Sequence, residues 1–202
     1  MKYLIKTFLF ISIIFAQYPA DTLLILPSTS KIERILISPI SKWQRISYGS
    51  PEMNCQFFPS CSQYGAIAIN EKGPILGLFA TSDRIIRCNP SAMKNHSAIG
   101  GSFYQDGRMI DMLKPENINN EKSPVIAGIL SILPGLGRIY SKKYFDGLFG
   151  FLMTSIAYQS AIRSTNNNSI FAPLFVSTAI IVHGGEIYGS YRTAKYHTSK
   201  TN

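Results

Sequence analysis

The chain has 202 residues, enough for one small domain with flanking segments but too few for two large domains. Charged residues make up only 15%, against a typical share of about 25%, so part of the surface is expected to face lipid or another protein. The net charge of +9 concentrates at the two ends, and no hydrophilic stretch interleaves basic residues with stacking aromatics, which argues against nucleic-acid binding.

The N-terminus, residues 1–16, has the pattern of a signal peptide or an N-terminal anchor. Lys2 and Lys6 precede an apolar run that is shorter than the roughly 20 residues of a membrane span. Ala16 offers a small residue for cleavage, whereas Ile14 fits that motif poorly. A cleaved signal and an uncleaved anchor therefore both remain open.

A first amphipathic helix is predicted to start at Ser30. Ser30 and Glu33 can form a capping box, in which each side chain accepts a hydrogen bond from the other residue's backbone N–H. The apolar residues that follow at helical spacing are Ile32, Ile35 and Leu36. Pro39 disfavours helix at the residue before it, so the helix is expected to end there and residues 41–54 to form a loop.

Two further amphipathic helices are predicted on either side of Gly73-Pro74. Ser60 caps the first of them, and the second ends near Arg87. Glycine suits the end of a helix and proline suits the first turn of the next one, which places the break at this pair. Residues 89–122 have weak periodicity and are predicted to be irregular, with 102–122 as a linker.

Three cysteines, Cys55, Cys61 and Cys88, allow three interpretations. They could be small buried core residues. They could include a disulfide, Cys55–Cys61 or Cys61–Cys88. They could also bind zinc with His96, although paired zinc ligands usually lie closer in sequence. A cysteine hydrolase would need a histidine beside the thiolate, and no histidine has a recognisable motif context, so no catalytic residue is predicted. No metal ligand, cofactor or small-molecule substrate is predicted either.

The segment around these cysteines carries an ordered set of motifs. They are Ile37-Ser38-Pro39, the string Cys55-Gln-Phe-Phe-Pro-Ser-Cys-Ser-Gln-Tyr64, Gly73-Pro74 and Arg84-Ile-Ile-Arg-Cys-Asn-Pro90. This order resembles the YidD family of membrane protein insertion efficiency factors over about residues 31–101. The resemblance marks as motif or structural residues Cys55, Phe57, Pro59, Cys61, Ser62, Tyr64, Gly73, Pro74, Arg84, Arg87, Cys88, Asn89 and Pro90.

Two departures from that family pattern concern charge. Gln56 and Asp83 stand where basic residues are usual. Each loss removes about 1 kcal/mol of attraction near an anionic lipid surface, so the basic face that the resemblance implies is weaker in this chain.

The C-terminal part, residues 123–192, contains three apolar blocks, 125–136, 148–162 and 170–182. It resembles small bacterial membrane hairpin domains that open with Pro-Gly-x-Gly-x-x-Tyr. In this chain Pro134, Gly135 and Gly137 are expected to break or kink a helix. The residues that carry this resemblance are Pro134, Gly135, Gly137, Tyr140, Gly185, Tyr188, Gly189, Tyr191 and Arg192. Glu186 is expected at the lipid headgroup level, with a site residue as the alternative. Residues 193–202 are expected to be a polar tail.

The expected architecture is all-α, a small cysteine-containing helical domain at 30–101 with two or three transmembrane or interfacial helices. The resemblance implies a non-enzymatic inner-membrane protein that assists membrane protein insertion, with lipid, insertase and translocon components as partners and no nucleic acid. Its amphipathic faces at 30–40 and 74–87 would meet lipid or a partner. The alternative is an envelope interaction or structural protein with an exported YidD-like module, because the membrane side of the domain is open.

Overall fold

A computed structural model describes residues 18–50, 53, 55–113 and 122–196. The proposed signal peptide or anchor at 1–16 lies outside these residues, as do 114–121 of the linker and 197–202 of the tail. The described chain is mostly helical, which confirms the helical part of the expected fold class. Its helices are α1 Pro19–Ile25, α2 Lys31–Ser47, α3 Cys61–Lys72, α4 Pro74–Arg87, α5 Ala92–Ala98, α6 Pro124–Leu130, α7 Leu136–Tyr140, α8 Tyr144–Asn166 and α9 Ala172–Tyr196.

Helix α2 begins where the capping box predicts but continues past Pro39, so the predicted end at that proline and the start of the loop at 41 are wrong. The Ser30 hydroxyl accepts from the Glu33 backbone N–H, and the Glu33 carboxylate accepts from the Ser30 N–H. The second half of α2 buries Gln44, whose Oε1 accepts from the Ala20 N–H at 3.0 Å. Packing against α1 and α3 therefore outweighs the hydrogen bond that the proline removes.

Helices α3 and α4 meet at Gly73-Pro74, as predicted. Gly73 has a φ of +79°, a left-handed value that glycine adopts without steric cost. Ile69 of α3 is fully buried against α1 and α2, and Tyr64 and Ala80 form a second cluster where α3 contacts α4. This helix pair is the centre of the N-terminal core.

The region predicted to be irregular after Asn89 contains a helix, α5, and a short strand. The strand β2, Met109–Ile110, pairs in parallel with β1, Phe57–Phe58. The chain is therefore not all-α, and part of the predicted linker is a structural element. Met109 is fully buried beside Phe57 and Ala92, a local core that the sequence periodicity did not reveal.

The C-terminal region folds as two short helices followed by a long helical hairpin. Gly135 has a φ of +89° and separates α6 from α7, so the predicted break at the Pro-Gly motif is confirmed. Helices α8 and α9 form the hairpin, and α9 extends to Tyr196, beyond the predicted start of the polar tail at 193. Around Gly184, Gly185 and Gly189, α9 packs against α4, so the two halves of the chain share a core.

Among the described helices, none combines the length and the apolar character needed to cross a membrane, so the predicted transmembrane hairpin is not supported. Helices α8 and α9 have 23 and 25 residues. Glycine, serine and threonine interrupt their apolar residues, and α9 contains the charged Glu186 and Arg192.

Candidate functional site

The three cysteines lie together although they come from three elements. Cys55 precedes β1, Cys61 is the first residue of α3, and Cys88 follows α4. Their Sγ atoms all lie within 4.8 Å of one another, and those of Cys55 and Cys61 are 3.1 Å apart. All three are free thiols, so neither open disulfide pairing is present. The three cysteines are partly buried and pack against Phe57, Ala92 and Met109.

Hydrogen bonds within the cysteine cluster shift the pKa values of its thiols. Hydrogen bonds from the thiols of Cys61 and Cys88 lower the pKa of Cys55 strongly, and the Cys61 backbone N–H adds a further donor at 3.3 Å. Hydrogen bonds with Cys55 and Cys88, together with burial, raise the pKa of Cys61. The hydrogen-bond donors around Cys55 therefore favour its thiolate form. The cluster opens onto a cleft of about 1020 Å³.

Arg84 ties the cysteine region to the strand pair from inside the core. Its Nη2 donates to the Pro59 carbonyl at 2.8 Å, and its Nη1 forms an ion pair with Asp111 Oδ2 at 2.8 Å. Its guanidinium also lies over the rings of Phe57 and Tyr64, at 4.2 and 4.5 Å from their centroids. Such cation–π contacts strengthen when the pair is removed from water. This explains why the motif places arginine and two aromatics together.

Asp83, which stands where a basic residue is usual in the resembled family, pairs with the C-terminal region. Its Oδ1 accepts from Arg138 Nη2 at 2.9 Å, and Arg138 Nε donates to Glu186 Oε2 at 2.8 Å. The side chains of Asp83, Arg138 and Glu186 are fully buried. Glu186 also accepts from the Gly135 backbone N–H at 3.1 Å, so its expected position at the headgroup level is wrong.

Arg87 and Arg192 extend this buried network to Asp111. Arg87 contacts Asp83 Oδ2 at 3.1 Å and Asp111 Oδ2 at 2.6 Å, and Arg192 Nη2 lies 3.0 Å from Asp111 Oδ1. We call the seven residues together the charge network; they are Asp83, Arg84, Arg87, Asp111, Arg138, Glu186 and Arg192. Four guanidinium groups and three carboxylates leave it with one excess positive charge. Burial opposes ionisation of Asp83, but the surrounding arginines outweigh it and lower its pKa.

Asn89 makes a second connection between the two halves of the chain. Its Nδ2 donates to Asp146 Oδ1 of α8 at 2.6 Å and to the Ile86 carbonyl at 3.1 Å. Its Oδ1 accepts from the Ser91 N–H at 2.9 Å, which starts the turn into α5. The neighbouring Pro90 is exposed. Ser62 accepts from Gln44 Nε2 at 3.3 Å and helps to hold α3 against α2.

The glycines of the C-terminal motif lie where helices approach closely. A Cβ on Gly137 would collide with the Ala127 carbonyl, and one on Gly189 would collide with Asp83 and Arg138. Gly185 faces Ser82 of α4 in the same way. Small residues therefore permit the contact that buries the charge network.

The remaining residues of this motif have different surroundings. Tyr188 packs against the cluster around Tyr64 and Ala68, and burial raises its pKa to about 12. The Tyr140 hydroxyl accepts from the Ser123 N–H at 3.3 Å, Pro134 is half-buried in the turn between α6 and α7, and Tyr191 is exposed. The motif therefore belongs partly to the inter-helix contact and partly to the surface.

The pairing of these charges is not evident from the amino-acid sequence. The sequence places Asp111 in a linker and gives no partner for Arg138 or Asp146. A signal was available, because ionisable residues inside apolar stretches usually have a partner. The identity of that partner depends on the tertiary fold, since Asp83 and Arg138 are 55 positions apart.

The C-terminal helices place small residues inside and large apolar residues outside. Helix α8 buries Gly147, Gly150, Thr154, Ala157 and Ala161. Its exposed residues include Phe145, Leu148, Phe151, Leu152, Ile156 and Ile162, and α9 exposes Leu174, Phe175, Val176 and Ile180. We call these ten residues the outer apolar surface.

Comparison with known proteins identifies the N-terminal half. Residues 32–106 match the family described as "Putative membrane protein insertion efficiency factor", YidD. A protein of that name from Oleidesulfovibrio alaskensis is 34% identical over 82 residues, which cover 41% of this chain and 95% of the relative. The chain belongs to the YidD family.

Further relatives with the same name support this assignment. One from Ruminiclostridium cellulolyticum is 42% identical over 60 residues, which cover 29% of this chain and 84% of the relative. One from Colwellia psychrerythraea is 40% identical over 63 residues, which cover 31% of this chain and 77% of the relative. No solved structure matches the chain. The expected YidD-like region at 31–101 is thus confirmed and extends to 106.

The structure gives both departures from the YidD pattern a local role. Asp83 pairs with Arg138, which lies outside the matched residues. Gln56 donates through Nε2 to Cys88 Sγ and to the Asn89 carbonyl, both at 3.3 Å. Both substitutions therefore serve internal packing, and Asp83 joins the YidD region to the C-terminal helices.

Proposed function

We propose that this protein assists the insertion or folding of integral membrane proteins and acts by binding at the inner membrane. The YidD membership provides the functional class, since relatives that share the matched region carry the name of insertion efficiency factors. The observation that carries the proposal for this chain is the outer apolar surface of α8 and α9. We assign no chemical step to the protein.

Lipid is the partner that fits the outer apolar surface. In water, large apolar side chains are favoured inside, and contiguous exposed patches mark interaction sites. Helices α8 and α9 reverse that arrangement, because their mutual contact consists of small residues such as Ala157, Ala161 and Ala179. Small residues at helix contacts with apolar residues outside are typical of helices in lipid. We therefore place this surface against acyl chains.

Helix α2 offers a second surface for lipid or a partner. Ile32 and Ile35, on its predicted apolar face, are 61% and 71% exposed, and Trp43 and Ile46 farther along are 50% and 61% exposed. Helix α4 differs, because its Phe79 packs beside Gly184 of α9. Of the two predicted contact faces, we retain the one on α2 and assign only part of α4, around Ile75 and Leu76, to external contact.

The proposed function requires insertase and translocon components as protein partners. This protein would meet them at the lipid surface of the membrane. The C-terminal helices would serve as an attachment that holds the YidD region at the membrane through the charge network. We place this attachment at the inner membrane, because insertion of new membrane proteins takes place there.

The function is tested by deleting the gene in its native host and pulse-labelling newly made inner-membrane proteins. We expect labelled proteins to reach their protease-resistant inserted form more slowly than in the parent strain. Re-expression of the wild-type chain should restore the rate, whereas a chain carrying Leu148→Glu and Phe151→Glu should not. Unchanged insertion in the deletion strain would argue strongly against the proposal.

A further inference from the structure

The cysteine cluster has the arrangement of a metal-binding site that the sequence spacing did not indicate. Cys55 and Cys61 are separated by five residues and Cys88 by a further 26, yet their three Sγ atoms lie within 4.8 Å of one another. In tetrahedral thiolate sites with metal–sulfur distances of about 2.3 Å, neighbouring sulfurs are about 3.8 Å apart. Small side-chain movements would therefore bring all three sulfurs to one ion.

Two N–H groups already point at the sulfurs. The Cys61 backbone N–H, at the start of α3, donates to Cys55 Sγ at 3.3 Å. Gln56 Nε2 donates to Cys88 Sγ at 3.3 Å. Hydrogen bonds of this kind stabilise thiolate charge and orient the ligands of protein metal sites. They also give Gln56 a role at a position where the family usually has a basic residue.

The surroundings of the cluster suit a soft ion. Two methionines, Met53 and Met93, line the same cleft as the cysteines, and thioether sulfur is a further soft donor. Arg108 and Asp106 also line the cleft, but they form an ion pair at 2.7 Å and add no net charge beside the thiolates. Within the described residues, no histidine or carboxylate joins the three cysteines in the cluster. A bound ion would therefore keep one coordination position directed at the cleft.

We propose that Cys55, Cys61 and Cys88 bind one thiophilic metal ion, Cu(I) or Zn(II), as three thiolates. Both ions accept thiolate ligands; Cu(I) is satisfied by three sulfurs, whereas Zn(II) adds a fourth ligand such as water. Binding displaces the remaining thiol protons to solvent. The site differs from the zinc site with His96 that the sequence left open, because His96 Nε2 lies 2.8 Å from the Ser102 carbonyl and outside the cluster.

The test uses the full chain, purified with reduced thiols under anaerobic conditions and loaded separately with Zn(II) and Cu(I). After desalting, we expect about one ion per chain for at least one of the two metals. X-ray absorption at the metal edge should give three sulfur ligands at about 2.3 Å, with an additional oxygen or nitrogen ligand for zinc only. This spectrum identifies the ion and needs no variant.

Variants assign the ligands. Cys88→Ser and Cys88→Ala should each reduce the bound metal at least fivefold, while Ser62→Ala, in the same cleft, should retain it. Far-ultraviolet circular dichroism identifies any variant that fails to fold. In that case the X-ray absorption spectrum of the wild-type chain still shows whether the metal has three sulfur ligands. Less than 0.2 ion per chain with three alkylatable thiols would overturn the proposal. So would a Cys55–Cys61 disulfide that excludes metal, or metal bound through oxygen and nitrogen alone.

Discussion

Replacing Asp83 with asparagine tests the charge network most simply, because the substitution keeps the shape of the side chain and removes its charge. The fully buried carboxylate lies 3.1 Å from Arg87, 2.9 Å from Arg138 and 3.8 Å from Arg192. Its neutralisation raises the excess positive charge of the network from one to two. Removing one partner of a buried ion pair typically costs about 3–5 kcal/mol, because the other charge stays buried without compensation.

Thermal unfolding followed by circular dichroism measures this cost. For a chain of this size, 1 kcal/mol corresponds to about 2–4 °C, so Asp83→Asn should lower Tm by about 6–20 °C. Asp106→Asn is the matched control, since Asp106 also pairs with an arginine, Arg108 at 2.7 Å, but in an exposed position. The control should leave Tm almost unchanged. Equal Tm values for both variants would refute the assigned role of the buried pairing.

Three further predictions follow from the same contacts. The pKa of Asp83 is lower in the folded chain than in the unfolded chain, where it is about 4. The stabilising effect of its carboxylate is therefore present above about pH 4 and is lost as the pH falls through the folded-state pKa. The Tm of the wild-type chain should decrease as the pH is lowered below about 4, and that of Asp83→Asn should decrease less steeply. Gly189→Ala should lower Tm by more than about 5 °C, because the added Cβ would collide with the charge network. Gly128→Ala should leave Tm almost unchanged, because the nearest atom to an added Cβ there is 3.9 Å away. A comparable loss of Tm in both variants would contradict the close packing at Gly189. In a flotation assay with vesicles that contain anionic lipid, most of the wild-type chain should float with the vesicles. Most of the chain carrying Leu148→Glu and Phe151→Glu should stay behind, and equal flotation would count against lipid contact.

The sequence predicts local features of this fold well because their causes are local. The capping box at Ser30, the break at Gly73 and the break at Gly135 each depend on backbone geometry within a few residues. The helix through Pro39 could not be predicted in this way, because its second half is held by the distant Ala20 through Gln44. In helix α2, tertiary contacts therefore outweigh the local preference of Pro39 to end the helix.

The same difference between local and tertiary causes applies to the residues of the candidate site. The cysteine motif and Arg84 could be selected from the sequence, since the resemblance to YidD proteins marks them. The pairing of Asp83 with Arg138, and the convergence of Cys88 on Cys55, could not be selected, because they depend on how distant elements fold together. Charge patterning indicated a weaker basic face at Asp83, whereas the structure gives that carboxylate an internal partner.

The most direct test of the function uses inverted inner-membrane vesicles prepared from a strain that lacks this protein. An inner-membrane protein is synthesised in their presence, with purified wild-type chain or the Leu148→Glu, Phe151→Glu chain added back, and its protease-protected fraction is followed over time. We predict that the wild-type chain raises the insertion rate and that the variant does not. An insertion rate that the wild-type chain leaves unchanged would contradict the account.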